Sequence, residues 1–225
     1  FAADGNRFMS ERDVMEYDVV VVGAGGAGLR RRRLRNLGKG QAMLQNVDDS
    51  RAFVFDPRGR VESAEAPLAP RPGTLDGLRL GVLDNSKWNA NKLLRGAAAA
   101  LGAEIGFAAV HYYVKHSFSK DADPALVARI VTECDIVLTA IGDCGSCCSC
   151  CVRDSVALER LGVPAACIIT TEFVEETGLT RAAIGMPGLR PVVIDHPVSS
   201  ITAEEVAARV AQITAQAQAV WLGRG

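Results

Sequence analysis

Five of the seven cysteines in this 225-residue chain fall within eight positions, Cys144, Cys147, Cys148, Cys150 and Cys151. Cys144 and Cys147 have the spacing of a dithiol that closes to a disulfide across one turn, and Cys150 continues the three-residue interval along one helical face. The segment follows an apolar run, Asp135–Ile141, and precedes a helical pattern. A thiol at a helix N-terminus meets free N–H groups and the positive end of the macrodipole, so its thiolate is stabilised and it becomes a nucleophile. Gly142 and Gly145 allow a tight turn and a close backbone approach to a ligand, and Ser146 adds a hydroxyl. Asp143 either faces the sulfur, which would raise its pKa, or orients the loop or binds a donor. Cys148, Cys151, Cys134 and Cys167 read as packing residues, because a buried thiol behaves as a small hydrophobe.

Other polar groups accompany the thiols. Asp84, Asn85 and Lys87 follow a short apolar run and open a helix, where Lys87 and the first amides suit a carboxylate. Thr171 and Glu172 follow the run AACIIT. His196 follows PVVI and suits a general acid or a carboxylate contact.

These residues need a scaffold. Strands are expected at Arg79–Leu83, Glu104–Val110, Asp135–Ile141, Val163–Thr170 and Pro191–Ile194. Helices are expected over Asn89–Leu101, with Asp84, Asn85 and Ser86 as capping residues, from Asp123-Pro124 to Cys134, from the cysteine segment to Leu161, near Glu172–Thr177, and over Ala203–Val220. Strands alternating with helices predict an α/β fold, a doubly wound, mainly parallel five-stranded sheet with helices on both faces. In such sheets ligands bind outside the carboxyl ends of the strands. Asp84–Lys87, His111–Tyr113, Gly142–Cys151, Thr170–Glu172 and Asp195–His196 are expected on that edge. Residues 77–225 form the working domain, 57–76 a Pro-rich linker, and 1–56 an irregular appendage.

A formal charge of −1 gives no basis for binding nucleic acid. No apolar run reaches the ~20 residues of a membrane span. With no evident export signal, a reducing cytoplasmic setting is expected, where clustered cysteines point to redox chemistry, nucleophilic chemistry or metal.

The stretch GDCGSCCSCC, then DSVALERLGVPAACIITTEF, then DHPVSS resembles the UGSC family of (seleno)proteins, in some members of which selenocysteine stands at the place of Cys144. More distantly, it is similar to the selenoprotein B subunit of glycine, sarcosine and betaine reductases, through the spacing of Cys144, Cys147 and Cys150, the turn Glu159-Arg160-Leu161-Gly162-Val163-Pro164, and His196-Pro197. The resemblance implies a thiol-dependent reductase or lyase. Cys144 attacks a small carboxylate-bearing substrate, Cys147 resolves the adduct, and an external thiol, a thioredoxin-like reductase or a flavoprotein supplies electrons. No cofactor is then required in the chain itself, and a homo-oligomer is compatible with this reading. Two alternatives stay open: a metal- or iron–sulfur-binding module using Cys144, Cys147 and Cys150, and a cofactor-independent racemase-like enzyme.

The segment Tyr17–Gly28, with Gly23, Gly25 and Gly28, resembles the start of an FAD-binding flavoprotein of the fumarate reductase type. From its start to the Pro-rich stretch there are about 40 residues, too few for a dinucleotide domain. Arg30 to Arg33 also replace the small apolar residues its helix needs. FAD binding by this chain is therefore not expected.

Overall fold

The computed structural model describes residues 63–224, so the glycine motif at Gly23, Gly25 and Gly28 lies outside the described residues. Strands β1 (Arg79–Asp84), β2 (Ala109–Val114), β3 (Ile136–Gly142), β4 (Ala165–Thr170) and β5 (Pro191–Ile194) alternate with helices α1 (Ala90–Glu104), α2 (Pro124–Glu133), α3 (Gly145–Arg160), α4 (Val174–Ala183) and α5 (Ala203–Trp221). The sheet order is β2-β1-β3-β4-β5 and every pairing is parallel. That is the doubly wound, flavodoxin-like order, whose topological switch point lies between β1 and β3.

The expected strands are found, with one shift. The second is Ala109–Val114 rather than Glu104–Val110. Helix α1 runs on through Glu104, because Leu101 completes an apolar stripe with Ala90, Leu93, Leu94, Ala97 and Ala98. Strand β2 lies at the sheet edge, and its alternation of exposed and partly buried residues, with Tyr113 alone buried, hides it among polar and aromatic side chains. His111–Tyr113 therefore lie within a strand and not beyond its end.

Strands β3 and β4 are buried along their whole length, as parallel strands covered on both faces must be. One face is packed by α1 and α5, and α5 ends on the fully buried Trp221, whose indole N–H donates to the Val137 carbonyl at 3.0 Å. The other face is packed by α2, α3 and α4. Helix α5 opens with a capping box in which Thr202 and Glu205 satisfy each other's backbone N–H groups.

Helix α1 corrects a second expectation. Its N-cap is Asn89, in the left-handed region at φ 62°, and no side chain caps it. Asp84 and Asn85 instead accept from the N–H groups of Ser86 (2.7 Å) and Lys87 (3.2 Å), so they shape the loop and leave the helix end open.

Residues 63–76, within the expected linker, have no regular structure but hold to the domain. The Ser63 hydroxyl donates to Ala183 O, Ala66 N–H to Gly185 O, and Ala69 N–H to Glu159. Ala69 and Leu75 are buried.

Helix α3 approaches β3 closely through Gly142. A Cβ there would stand 2.9 Å from Ile169 Cγ2 and 3.0 Å from the Cα of Cys148, which is backbone and cannot swing away. Gly142→Ala is therefore expected to push the first turn of α3 outward, at about 1–3 kcal/mol. Chemical denaturation measures that loss, and an unchanged midpoint would refute the contact.

Candidate active site

Strand β3 is central, so its carboxyl end delivers Gly142, Asp143 and Cys144 to the switch point beside the loop that follows β1. Cys144 is the N-cap of α3, and its sulfur accepts from the Cys147 backbone N–H at 3.4 Å. The Ser146 hydroxyl lies 3.8 Å away. Burial raises the Cys144 thiol. The Cys147 thiol and N–H, the Ser146 hydroxyl and the charge of Lys87 together outweigh it, and the net shift is downward.

The other thiols go the opposite way. Cys147 is buried, donates to Cys144 O at 3.2 Å and accepts from Asp143 N–H at 3.2 Å. Burial and its bond to Cys144 push it up to about 12. Burial also pushes Cys148, beside Thr177, up to about 12. Cys151 touches Cys167 at 3.4 Å and Thr139 at 3.2 Å; that bond to Cys167 and its burial raise it well above an ordinary thiol. Cys134, near the other end of β3, is raised by burial and lies 3.3 Å from the Tyr113 hydroxyl.

Cys150, expected on one face with Cys144 and Cys147, is buried and accepts from Arg153 Nη2 at 3.2 Å, and burial raises it. Arg153 also bonds Asp121 at 2.8 Å, so Cys150 belongs to the α2 side of α3. Near it Lys115 and Asp154 form a buried ion pair. Among the described residues no three His, Cys, Asp or Glu side chains are placed to hold a metal ion. Cys167 lies inside β4, away from the strand-end edge where a racemase-like second thiol would stand.

Asp143 does not turn to the sulfur. Its buried carboxylate meets His196 Nδ1 at 2.9 Å, and Thr170 Oγ1 lies 3.1 Å from the same nitrogen. A carboxylate only accepts, so Nδ1 carries the proton, which leaves Nε2 for proton exchange. The loop bearing His196 is held from two sides. His196 N–H donates to Thr171 Oγ1 at 3.3 Å, and Gln212 of α5 bonds both the N–H and the carboxylate of Asp195. Thr170, at the end of β4, is the member of this cluster that sequence reasoning undervalued; its position between two strand ends was the available signal. Glu172 is exposed on the short 3-10 helix Thr171–Phe173. Gly145 and Ser146 are exposed in the first turn of α3.

The loop after β1 completes the site. Asn85 is buried, donating from Nδ2 to Ile141 O (3.0 Å) and from its backbone to Ala140 O (3.0 Å), so it ties β1 to the cysteine strand. Asp84 is raised by burial, against the pull of Ser86 N–H and Arg95. The Lys87 ammonium sits 4.7 Å from the Phe118 ring centre, and its charge acts on both Cys144 and Cys147. A cleft of about 510 Å³ runs along this loop. A second of about 290 Å³ lies between α1 and β2. Neither is lined by Cys144, and Lys87 is the link between the larger cleft and the sulfur.

The site thus unites Cys144, Cys147, Asp143, His196 and Lys87 from the ends of β1, β3 and β5. It offers a stabilised thiolate, a protonated thiol beside it, a histidine for proton transfer and a cation for an acid.

The model of the UGSC family matches residues 53–223. No curated protein matches the chain. Among solved structures, the flavodoxin-like domain from a Synechococcus sp. protein is similar at 11% identity and a TM-score of 0.34, over 65% of this chain and 99% of that one.

Proposed function

The chain belongs to the UGSC family, and on that premise we propose that it is a thiol-dependent reductase or lyase acting on a small carboxylate-bearing molecule. The observation that carries this reading is that Cys144 stands partly exposed as the N-cap of α3, its sulfur accepting the Cys147 N–H at 3.4 Å, while Cys147 and Cys148 beside it are buried. Cys144 thiolate attacks a carbon bearing a leaving group X, forming the S–C bond and breaking C–X. X departs with its electron pair and takes the proton that Cys144 gave up on ionising, carried to it by His196 Nε2. Cys147 then attacks the Cys144 sulfur. The disulfide forms, the S–C bond breaks, and the carbon leaves with the electron pair and takes up a proton. The sum is R–X plus two thiols giving R–H, HX and one disulfide, which an external dithiol or a flavoprotein reduces. In the lyase variant the S–C bond of the adduct breaks instead as the adjacent carbon loses a proton, which returns Cys144 without the second thiol and gives an alkene and HX.

Cys147 suits the second step for a stated reason. The negative charge of the Cys144 thiolate helps hold the Cys147 proton. Once Cys144 is bonded to carbon that charge is gone, and Cys147 ionises more easily.

The test is to oxidise the chain mildly with diamide and map its disulfides. A Cys144–Cys147 bridge is expected first. A first bridge elsewhere, or none, would refute the paired roles.

His196 has its own test. Iodoacetamide loses iodide, which needs no proton, whereas acrylamide must be protonated on carbon after thiolate addition. His196→Gln is expected to slow acrylamide addition at Cys144 on the order of 10²-fold and iodoacetamide far less. Equal slowing of both reagents would make His196 a packing residue.

A further inference from the structure

Building on the proposed thiol chemistry, we infer that the substrate carries a flat apolar group besides its acid, and that this group stacks on Trp88 in the cleft along the β1–α1 loop.

Trp88 is 70% exposed, while the other tryptophan, Trp221, is fully buried. An indole in water is an unspent apolar surface, and it is held out by a shaped backbone. Ser86 and Asn89, on either side, adopt the left-handed region at φ 60° and 62°, which non-glycine residues enter only under restraint. The restraints are visible. Asn85 is buried against the end of β3, and Asn89 Nδ2 donates to Val198 O at 2.8 Å.

The cleft beside the indole, about 510 Å³, lies within the range of small-molecule sites, roughly 300–1,000 Å³. Lys87, Lys92, Asn89, Asn91, Ser86 and Asp84 line it with Trp88, and the Asp84 carboxylate is engaged by the Ser86 N–H. Two ammonium groups against one engaged carboxylate, with two amides, a hydroxyl and one indole, suit an organic acid with a planar apolar part. Lys87 belongs to both places: it lines the cleft, and its charge acts on Cys144. An acid held by Lys87 is therefore bordered by the indole, on an ammonium whose charge also acts on the reacting sulfur. A bare two-carbon acid would leave Trp88 in water.

The chain has two tryptophans, so a ligand-dependent change in the solvent-exposed emission reports Trp88. Phenylacetate and acetate are titrated separately into the full chain. Phenylacetate is expected to quench that emission saturably in the millimolar range suited to so small a fragment, and to protect Cys144 from iodoacetamide. Acetate is expected to bind at least about tenfold more weakly. Trp88→Ala, its fold checked by circular dichroism, is expected to lose protection, and Trp88→Phe to recover it. Equal protection by acetate, full protection in Trp88→Ala, or no phenylacetate effect would overturn the subsite. Emission that shifts with protein concentration alone would assign the indole to a second copy and also overturn it. Binding of phenylacetate by Cys144→Ser supports the subsite whatever becomes of the thiol chemistry. A fast-reacting Cys144 that phenylacetate leaves untouched sinks the subsite alone.

Discussion

Replacing Cys144 by serine is expected to abolish the fast phase of alkylation by iodoacetamide at neutral pH. A thiol near 12, as for Cys147 and Cys148, carries about a thousandth of the thiolate of an ordinary one near 9.0. Intrinsic nucleophilicity rises with pKa and returns a factor of about 20–30. The net disadvantage is about 30–50-fold before burial is counted. Cys144 is lowered below the ordinary value and is partly exposed, so its lead is larger still. The pH profile carries a sign as well. A lowered pKa places the rise of the alkylation rate at lower pH than for a free model thiol. Mass mapping of the alkylated peptides against time measures both. Modification of Cys148 or Cys150 at the same rate, or a profile matching the model thiol, would end the assignment of Cys144 as nucleophile.

Replacing Glu159 by alanine is expected to cost about 3–5 kcal/mol, the range for stripping a buried charge-assisted network of one partner. Its side chain is wholly buried, and it accepts from Ala69 N–H, Arg71 and Ala165 N–H, each at 2.8 Å. One carboxylate thereby joins the segment before β1, the end of α3 and the start of β4. Alanine would leave two buried N–H groups and a guanidinium without an acceptor. Against a typical total of 5–15 kcal/mol this is a large share. For a domain of this size it corresponds to a melting point lower by roughly 6–20 °C. Glu159→Gln keeps an acceptor oxygen and is expected to fall between, which keeps the test open if the alanine variant fails to fold. Proteolytic cutting within residues 63–76 is expected to accelerate in both. A loss under about 1 kcal/mol in Glu159→Ala would show that the network is dispensable.

Much of the fold was legible because its signals are local. IVLTAI and AACIIT are apolar throughout, and only strands covered on both faces need that. Strand β2 was misplaced because half of it faces water and its alternation reads as loop. The cap of α1 was misassigned because Asp84 and Asn85 bond their own loop, a choice the sequence alone leaves open. The site was legible as a set of strand ends, but not as a network. The partner of Asp143 is a histidine two strands away, and Cys150 turns to Arg153 rather than joining Cys144.

The sequence by itself determined the alternating α/β order, the placing of the cysteine loop after a buried strand, and the spacing of Cys144 and Cys147. Each follows from apolar runs and intervals within a few residues. The tertiary structure alone decided which thiol is stabilised as an anion, where Asp143 points, and what Glu159 holds. Those depend on burial and on groups brought together from distant positions, and neither is written in any local stretch of the chain.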